Sequence, residues 1–147
     1  MLATALARHL ETLGLVDFDE TGVAGNAFLV TMPSSPDEAV AITPYGGREQ
    51  PTRAPTDIPN IQIRVRSTRF DPRPGYERAR NIYAALACLD GVTLDEAGAD
   101  EVFVIGVTPT QSDVFPIGRD ENDRDEWVIN LSIRTHAPTA HRPAIST

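Results

Sequence analysis

Two segments of this sequence alternate apolar and polar side chains, and this alternation restricts the fold more than any other feature. In residues 60–68 the apolar positions are Ile61, Ile63 and Val65. In residues 126–136 they are Trp127, Ile129, Leu131 and Ile133. Because successive side chains of a β-strand point to opposite faces, a period of two indicates a strand with one buried face. We therefore expect the chain to fold around a sheet.

Two other segments carry their apolar residues at helical spacing. Residues 2–13 place leucines three or four positions apart, and Gly14 follows where a helix commonly ends. Residues 71–89 begin with Asp71 and Pro72, a pair suited to the N-cap and the first turn of a helix. The sequence therefore predicts two amphipathic helices, one at the start of the chain and one near its middle.

Three shorter runs are rich in β-branched and aliphatic residues. Residues 27–32 and 38–43 are separated by residues 33–37, which are prolines, serines and an aspartate. This pattern predicts a hairpin with a five-residue loop. Residues 101–107 predict a further strand by the same criterion.

The remaining segments lack an apolar period and predict loops. Residues 44–59 predict a long surface loop, which in compact domains is often functional, and residues 108–125 connect the last two predicted strands. Residues 1–136 are expected to form a single α+β domain of order α-β-β-β-α-β-β, a mostly antiparallel sheet covered on one face by two helices. Residues 137–147 are expected to be a flexible C-terminal tail.

Composition excludes several classes of protein. The 147 residues carry a formal net charge of −8, which argues against a nucleic-acid-binding module that relies on an overall basic field. One cysteine, Cys88, cannot form an internal disulfide, and its Ala-rich surroundings predict a small buried side chain in a reducing compartment. With neither a long apolar run nor an export signal, we expect no membrane segment.

No motif predicts a catalytic, cofactor-binding or metal-binding site. The chain contains no lysine, so a P-loop or a Schiff base is excluded, and no Gly-x-Ser-x-Gly occurs. The acidic run 120–125 lacks the glycine that a calcium loop needs at its sixth position, and a solvated hairpin tip explains it better. A metal-assisted hydrolase that uses Asp120, Asp123 and Asp125 is the alternative function from the enzyme class.

All thirteen basic residues are arginines, which either a GC-rich genome or a need for bidentate contacts would explain. Four of them follow one strand and its end, namely Arg64, Arg66, Arg69 and Arg73. This basic face is either a solvent-facing surface paired with nearby acids or an interface that meets Asp120, Asp123 or Asp125 of a neighbouring copy. The candidate subunit or tube interface consists of Arg64, Arg66, Arg69, Tyr45, Arg119, Asp120, Asp123 and Arg124.

An ordered set of short motifs resembles the minor capsid and tail terminator proteins of long-tailed bacteriophages. The first is residues 59–66, with the sequence PNIQIRVR, and the second is GYERA at residues 75–79. The third is GRDE at residues 118–121, followed by Arg124 and by the segment 127–131. The resemblance covers residues 57–136 well and the start of the chain more loosely.

The resemblance implies a structural virion protein without catalytic activity and without a cofactor. Such a protein forms a ring, typically a hexamer, at the end of the tail tube nearest the head. It stops tube growth and joins the tail to the head connector. Its implied partners are further copies of itself, the tail tube protein and the connector, while DNA passes through the lumen without specific binding. The implied location is the virion tail or neck, and the host cytoplasm during assembly.

Two other functions stay open from the sequence. A neighbouring neck or head-tail connector component would share much of this layout. A small-molecule or regulatory binding module would instead be a monomer with a pocket between helix and sheet.

Overall fold

The structure of this chain is a computed structural model that describes residues 1–47 and 55–143. Its elements, in chain order, are α1 (Leu2–Thr12), β1 (Ala27–Leu29), β2 (Ala39–Gly47), β3 (Thr56–Asp57), β4 (Pro59–Arg69), α2 (Arg73–Ala87), β5 (Asp90–Leu94), β6 (Val102–Pro109), β7 (Phe115–Arg119) and β8 (Arg124–His136). The predicted mixed α+β fold is confirmed. The predicted order of elements is incomplete, because it lacks β3, β5 and β7.

One sheet contains all of these strands, in the order β1-β2-β4-β8-β6-β5. The two strands with the clearest alternation lie side by side at its centre, with Ile61 opposite Leu131 and Ile63 opposite Ile129. The long strand β8 pairs with β4 and then β3 along one edge, and with β6 and β7 along the other. These pairings are antiparallel, so the predicted predominance of antiparallel pairs is confirmed.

The predicted hairpin of residues 27–43 is wrong. The strands β1 and β2 are adjacent but parallel, with Ala27 opposite Val40 and Leu29 opposite Ile42. A parallel pair requires the connecting chain to return to the starting end of the sheet. Residues 30–38 make this return, and their carbonyl groups are bonded by a buried arginine of β4 that the local pattern does not reveal.

The predicted long loop and the segment between the last two predicted strands both contain strand residues. The first, 44–59, includes the end of β2, all of β3 and the start of β4, while residues 48–54 lie outside the described residues. The second, 108–125, includes the end of β6, all of β7 and the start of β8. In strand β7 all five residues are exposed, including its two large apolar side chains, Phe115 and Ile117.

The end of α1 follows the sequence signal, whereas the N-cap of α2 is Pro72 rather than the predicted Asp71, and α2 ends at Ala87, before the predicted stop. Gly14 adopts the left-handed conformation with φ of 75°. Its N–H donates to Glu11 O, and the N–H of Leu15 donates to Leu10 O, which together close the end of α1. At α2, Asp71 Oδ1 accepts the N–H of Arg73 at 3.1 Å. Both predicted helices are thereby confirmed.

One hydrophobic core joins the two helices to the sheet. Leu6 and Leu10 of α1 and Ile82 and Leu86 of α2 are fully buried in the same cluster as the inward residues of β2, β4 and β8. Helix α2 packs on β4, β8 and β6, whereas α1 packs on β1, β2 and β5. Because β1 and β5 end the strand order, the sheet curls so that α1 reaches both ends.

Two further predictions concern single segments. The predicted burial of Cys88 is wrong, since its side chain is exposed just after α2. The predicted flexible tail is bonded to β3, because Ala137 N–H donates to Pro55 O and Arg142 pairs with Asp57. Its mobility stays a prediction, and residues 144–147 lie outside the described residues. Within the described residues, neither helix is long and apolar enough to cross a membrane.

Candidate assembly surface

Arg66 of β4 is buried inside the subunit, with 4% of its surface exposed. Its Nε donates to Asp37 O at 2.8 Å, and Nη2 donates to the carbonyl oxygens of Pro33 and Pro36. Burial, aided by the charge of Arg124, lowers the pKa of the Arg66 guanidinium. The sequence predicts a basic surface on this strand face. At Arg66, the charged group instead forms hydrogen bonds inside the subunit, to the segment that joins β1 to β2.

Arg124, at the start of β8, forms hydrogen bonds to the same segment from the strand next to β4. It is 3% exposed, and its Nη1 donates to Ser34 O at 2.6 Å and to Asp37 Oδ1 at 3.1 Å. Its Nε donates to Asp120 Oδ2 at 2.8 Å, and its N–H donates to Asp120 Oδ1. Arg66 and Arg124 thus join the β1–β2 connection, the end of β4 and the β7–β8 turn.

Both carboxylate oxygens of Asp120 accept hydrogen bonds within this turn. Burial alone would raise its pKa, but the hydrogen bonds from the N–H groups of Arg124 and Asn122 and from the Arg124 guanidinium outweigh burial and lower it. The run 120–125 is the predicted hairpin tip, closed by Asp120 N–H donating to Arg124 O. Because the oxygens of Asp120 already accept these bonds, they are poorly placed to hold a cation. Among the described residues, no group of acidic, His or Cys side chains has the arrangement of a metal site.

Three of the predicted interface residues present their charges to solvent at this end of the molecule. The Arg69 side chain is 54% exposed, with Nε 3.7 Å from Asp37 Oδ2. The Arg119 side chain is 43% exposed and pairs with Asp125 at 3.0 Å. Asp123 is exposed, and its carbonyl oxygen accepts the N–H of Phe70. These residues, together with Arg66, Asp120 and Arg124, lie at the C-terminal end of β4.

The other two predicted interface residues lie elsewhere on the sheet. Arg64 is half-buried in the middle of β4, opposite Ala41 on one neighbouring strand and Val128 on the other. Tyr45 is 45% exposed near the beginning of β4, since Gly47 pairs with Pro59. Partial burial raises the pKa of the Tyr45 hydroxyl. The structure therefore distributes the predicted set over the end, the middle and the beginning of β4.

Sequence reasoning missed two residues of this region. Asp37 contacts both Arg69 and Arg124 from the β1–β2 connection, and no local pattern relates these positions. Phe70 lies between β4 and α2 with 69% of its surface exposed and a φ of 64°. An aromatic residue just beyond the last alternating position of β4 is the signal that could have drawn attention to Phe70.

A comparison of the sequence with protein-family models identifies the family of this chain. The family model described as bacteriophage tail terminator protein matches residues 9–136, which begin in the last turn of α1 and extend to the end of β8. The chain belongs to the bacteriophage tail terminator family. A search of curated proteins found no significant match. Tail terminators are structural components of the virion tail or neck, so the family membership confirms the resemblance seen in the sequence.

Proposed function

We propose that this tail terminator forms a ring at the head-proximal end of the tail tube. The ring stops tube growth and presents a surface to which the head connector binds. The observation that carries this proposal is the family match, which runs from the last turn of α1 to the end of β8 rather than over a single motif. A non-catalytic role agrees with the engaged state of Asp120, the first acid that a hydrolase would need free.

The net charge supports a role beside a DNA path. A formal charge of −8 repels phosphate groups, so DNA can pass such a ring without being held by it. The tail tube protein and the head connector are the proposed partners on the two sides of the ring. Further copies of this chain are the partners within it, because closed rings arise from head-to-tail contacts between identical subunits.

The test combines mass measurement with a search for the binding site on tails. Six chains of 16.0 kDa have a mass of about 96 kDa, which light scattering coupled to size exclusion would detect in a concentration series. Purified tail tubes that lack a terminator are then mixed with the protein and imaged by negative stain. We expect the protein at one end of each tube and no further growth when tube protein is added.

Two outcomes would contradict the proposal. Tubes that keep growing after saturation with the protein would show that it does not terminate them. Binding to purified connectors without binding to tube ends would instead assign the chain to a neighbouring neck position. A monomer in solution that still caps tube ends agrees with the proposal, because the tube end then acts as the template for the ring.

A further inference from the structure

The central strands β4 and β8 present polar side chains on the face that points away from the core. Ile61 of β4 and Ile129 of β8 are buried in the cluster that contains both helices, so the residues that alternate with them point the other way. Five of these residues, which we call the polar sheet face, are Asn60, Gln62, Asn130, Ser132 and Arg134. Each is at least partly exposed, and none is acidic. In a chain with a formal net charge of −8, such a face suits a negatively charged partner.

Arg134 supplies the positive charge of the polar sheet face. It is exposed, and its guanidinium forms no hydrogen bond or ion pair within the part of the chain that the structure describes. On β6 it lies opposite Gly106, where an added Cβ would meet no atom within 4 Å, so the space beside Arg134 is open. Asp90 lies on the far side of Gly106, two strands or about 10 Å from Arg134, which is about one Debye length. The charge of Arg134 is therefore available to a carboxylate from another molecule.

The β7–β8 turn carries two carboxylates that are also unpaired. Within residues 119–125, each of the two arginines pairs with an aspartate, at 3.0 Å and 2.8 Å. Glu121 and Asp123 are exposed, and their carboxylates have no hydrogen bond or ion pair with any described residue. The turn thus presents two negative charges that its own subunit does not neutralise.

Hydrogen bonds hold this turn in one conformation. Asp123 N–H donates to Asp120 O at 3.1 Å, and Asn122 N–H donates to Asp120 Oδ1 at 2.9 Å. The N–H of Phe70 donates to Asp123 O at 2.8 Å and fixes the turn to the end of β4. Because the backbone of the turn is already ordered, a contact made through it loses little conformational entropy.

The β7–β8 turn and Arg134 lie near opposite ends of β8. The strand begins at Arg124, directly after the turn, and Arg134 follows ten residues later. At about 3.3 Å per residue the two positions are about 33 Å apart. The turn therefore cannot reach Arg134 of its own subunit, and a contact between them joins two copies.

We propose that the β7–β8 turn of one copy binds the polar sheet face of a second copy. Glu121 and Asp123 pair with Arg134, and the amide and hydroxyl groups of the face donate to the turn. Because each copy binds one neighbour through its turn and the other through its face, the contacts can close into a ring. This proposal rests on the self-assembly in the proposed function and names the surfaces that perform it. Among the acids that the sequence offers to a neighbouring copy, it retains Asp123 and excludes Asp120, whose oxygens accept bonds within the turn.

The first experiment reverses one charge at a time. Arg134→Glu and Glu121→Arg each place like charges together, so the concentration at which association is half complete should rise at least about tenfold in light scattering. Arg73→Glu and Glu96→Arg are the matched controls, because they change the net charge by the same amounts at exposed positions of α2 and of the β5–β6 turn. Both controls should associate as the wild type does. Association of Arg134→Glu and Glu121→Arg at the wild-type concentration would overturn the proposal.

The second experiment combines the two reversals in one chain. Arg134→Glu with Glu121→Arg again places opposite charges at every contact, so the double variant should recover most of the association that each single variant loses. The two positions are about 33 Å apart within a subunit, well beyond the Debye length of about 10 Å, so this recovery reports a contact between copies. A double variant that associates as weakly as the single variants would show that the two positions do not meet.

Tail tubes separate this proposal from the proposed function. If the wild type is a monomer in solution, the same variants are compared by the fraction of tube ends that they occupy in negative stain. Equal occupancy by the wild type and both single variants would overturn the contact and leave the proposed function intact. Association that follows the expected charge pattern, without capping of tubes, would overturn the proposed function and leave the contact intact. A wild type that neither associates nor caps tubes would overturn both.

Discussion

Individual arginines in this protein replace the hydrogen bonds that a regular strand would supply. The carbonyl groups of residues 33–37 have few strand partners, because this segment leaves the sheet to connect parallel strands. Arg66 and Arg124 donate to four of these carbonyls. A planar guanidinium with five N–H groups can bond several acceptors at once, which lysine cannot do with the same geometry.

Replacement of Arg66 should therefore lower the free energy of unfolding by much more than the loss of one charge would. Arg66→Met removes the donor from the carbonyls of Pro33, Pro36 and Asp37, and we expect the free energy of unfolding to fall by about 2–4 kcal/mol. Urea denaturation followed by tryptophan fluorescence measures this loss. Arg64 is the neighbouring residue on the same face of β4. Arg64→Met should lower the free energy of unfolding by less than about 1 kcal/mol. Equal losses at both positions would show that the carbonyl bonds of Arg66 contribute little.

At the level of elements, the close contact between α2 and β4 depends on Gly75. The N–H of Gly75 donates to Ser67 Oγ at 2.9 Å, and Ser67 Oγ donates to Asp71 O. A Cβ on Gly75 would lie 2.6 Å from Ser67 Cβ and 3.0 Å from its Cα. Because one of these neighbours is backbone, the helix would have to move away from the strand.

We expect Gly75→Ala to lower the free energy of unfolding by about 1–3 kcal/mol, despite the higher helix propensity of alanine. Thermal and urea unfolding would both report it. Gly106→Ala is the control, because a Cβ at Gly106 in β6 would meet no atom within 4 Å. A Gly75→Ala protein as stable as the wild type would show that α2 has room to shift on β4.

One side chain completes the edge of β8 between β6 and β7. Gln111 Nε2 donates to Val128 O at 2.9 Å, and Gln111 Oε1 accepts the N–H of Asn130 at 3.3 Å. The amide thus makes the bonds that a strand residue would make there. Tyr83 of α2 donates to Gln111 O and so connects this segment to the helix.

Removal of the Gln111 amide should leave the Val128 carbonyl and the Asn130 N–H without these hydrogen-bond partners. Gln111→Ala is expected to lower the free energy of unfolding by about 1–2 kcal/mol and to speed hydrogen exchange at the Asn130 N–H. Gln62→Ala offers the comparison, since Gln62 donates only to a side chain, Asn130 Oδ1 at 3.3 Å. If exchange at Asn130 is equally slow in both variants, Gln111 does not complete the ladder.

For the whole molecule, the pKa shifts predict how stability depends on pH. Burial lowers the pKa of His9 below its ordinary value of 6.5, so the unfolded chain binds that proton more tightly than the folded one. The bond from the N-terminal amino group lowers the pKa of Asp100 below 3.8, and Asp120 is lowered as well. Groups with depressed pKa values contribute stability above their unfolded pKa and lose it on acidification.

We therefore expect the free energy of unfolding to decline in two stages. A shallow decline starts as the pH falls below 6.5 and reflects His9, and a steeper one starts as the pH falls below 3.8 and reflects the carboxylates. Urea unfolding across this pH range measures both. His9→Gln should remove the first stage and keep the second. A first stage that persists in His9→Gln would assign it to another group.

Much of the fold was predictable because its signals are local. The alternation around Ile63 and Ile129 identified the two central strands, and leucine spacing with Gly14 identified α1 and its end. Each depends on residues close in sequence, whose positions are set by the geometry of one strand or one helix. The resemblance to tail terminators added the family, through motifs that lie on β4, on α2, and from the end of β7 into β8.

The tertiary structure alone decided the direction of β1, the pairing of the edge strands and the roles of the charged residues. Arg64 and Arg66 look equivalent in the sequence, yet one is half-buried on the sheet face and the other is closed in by residues 33–37. Strand β7 buries none of its residues, and its pairing with the edge of β8 defines it. Each of these features depends on groups far apart in sequence, whose bonds exist only once the sheet has assembled.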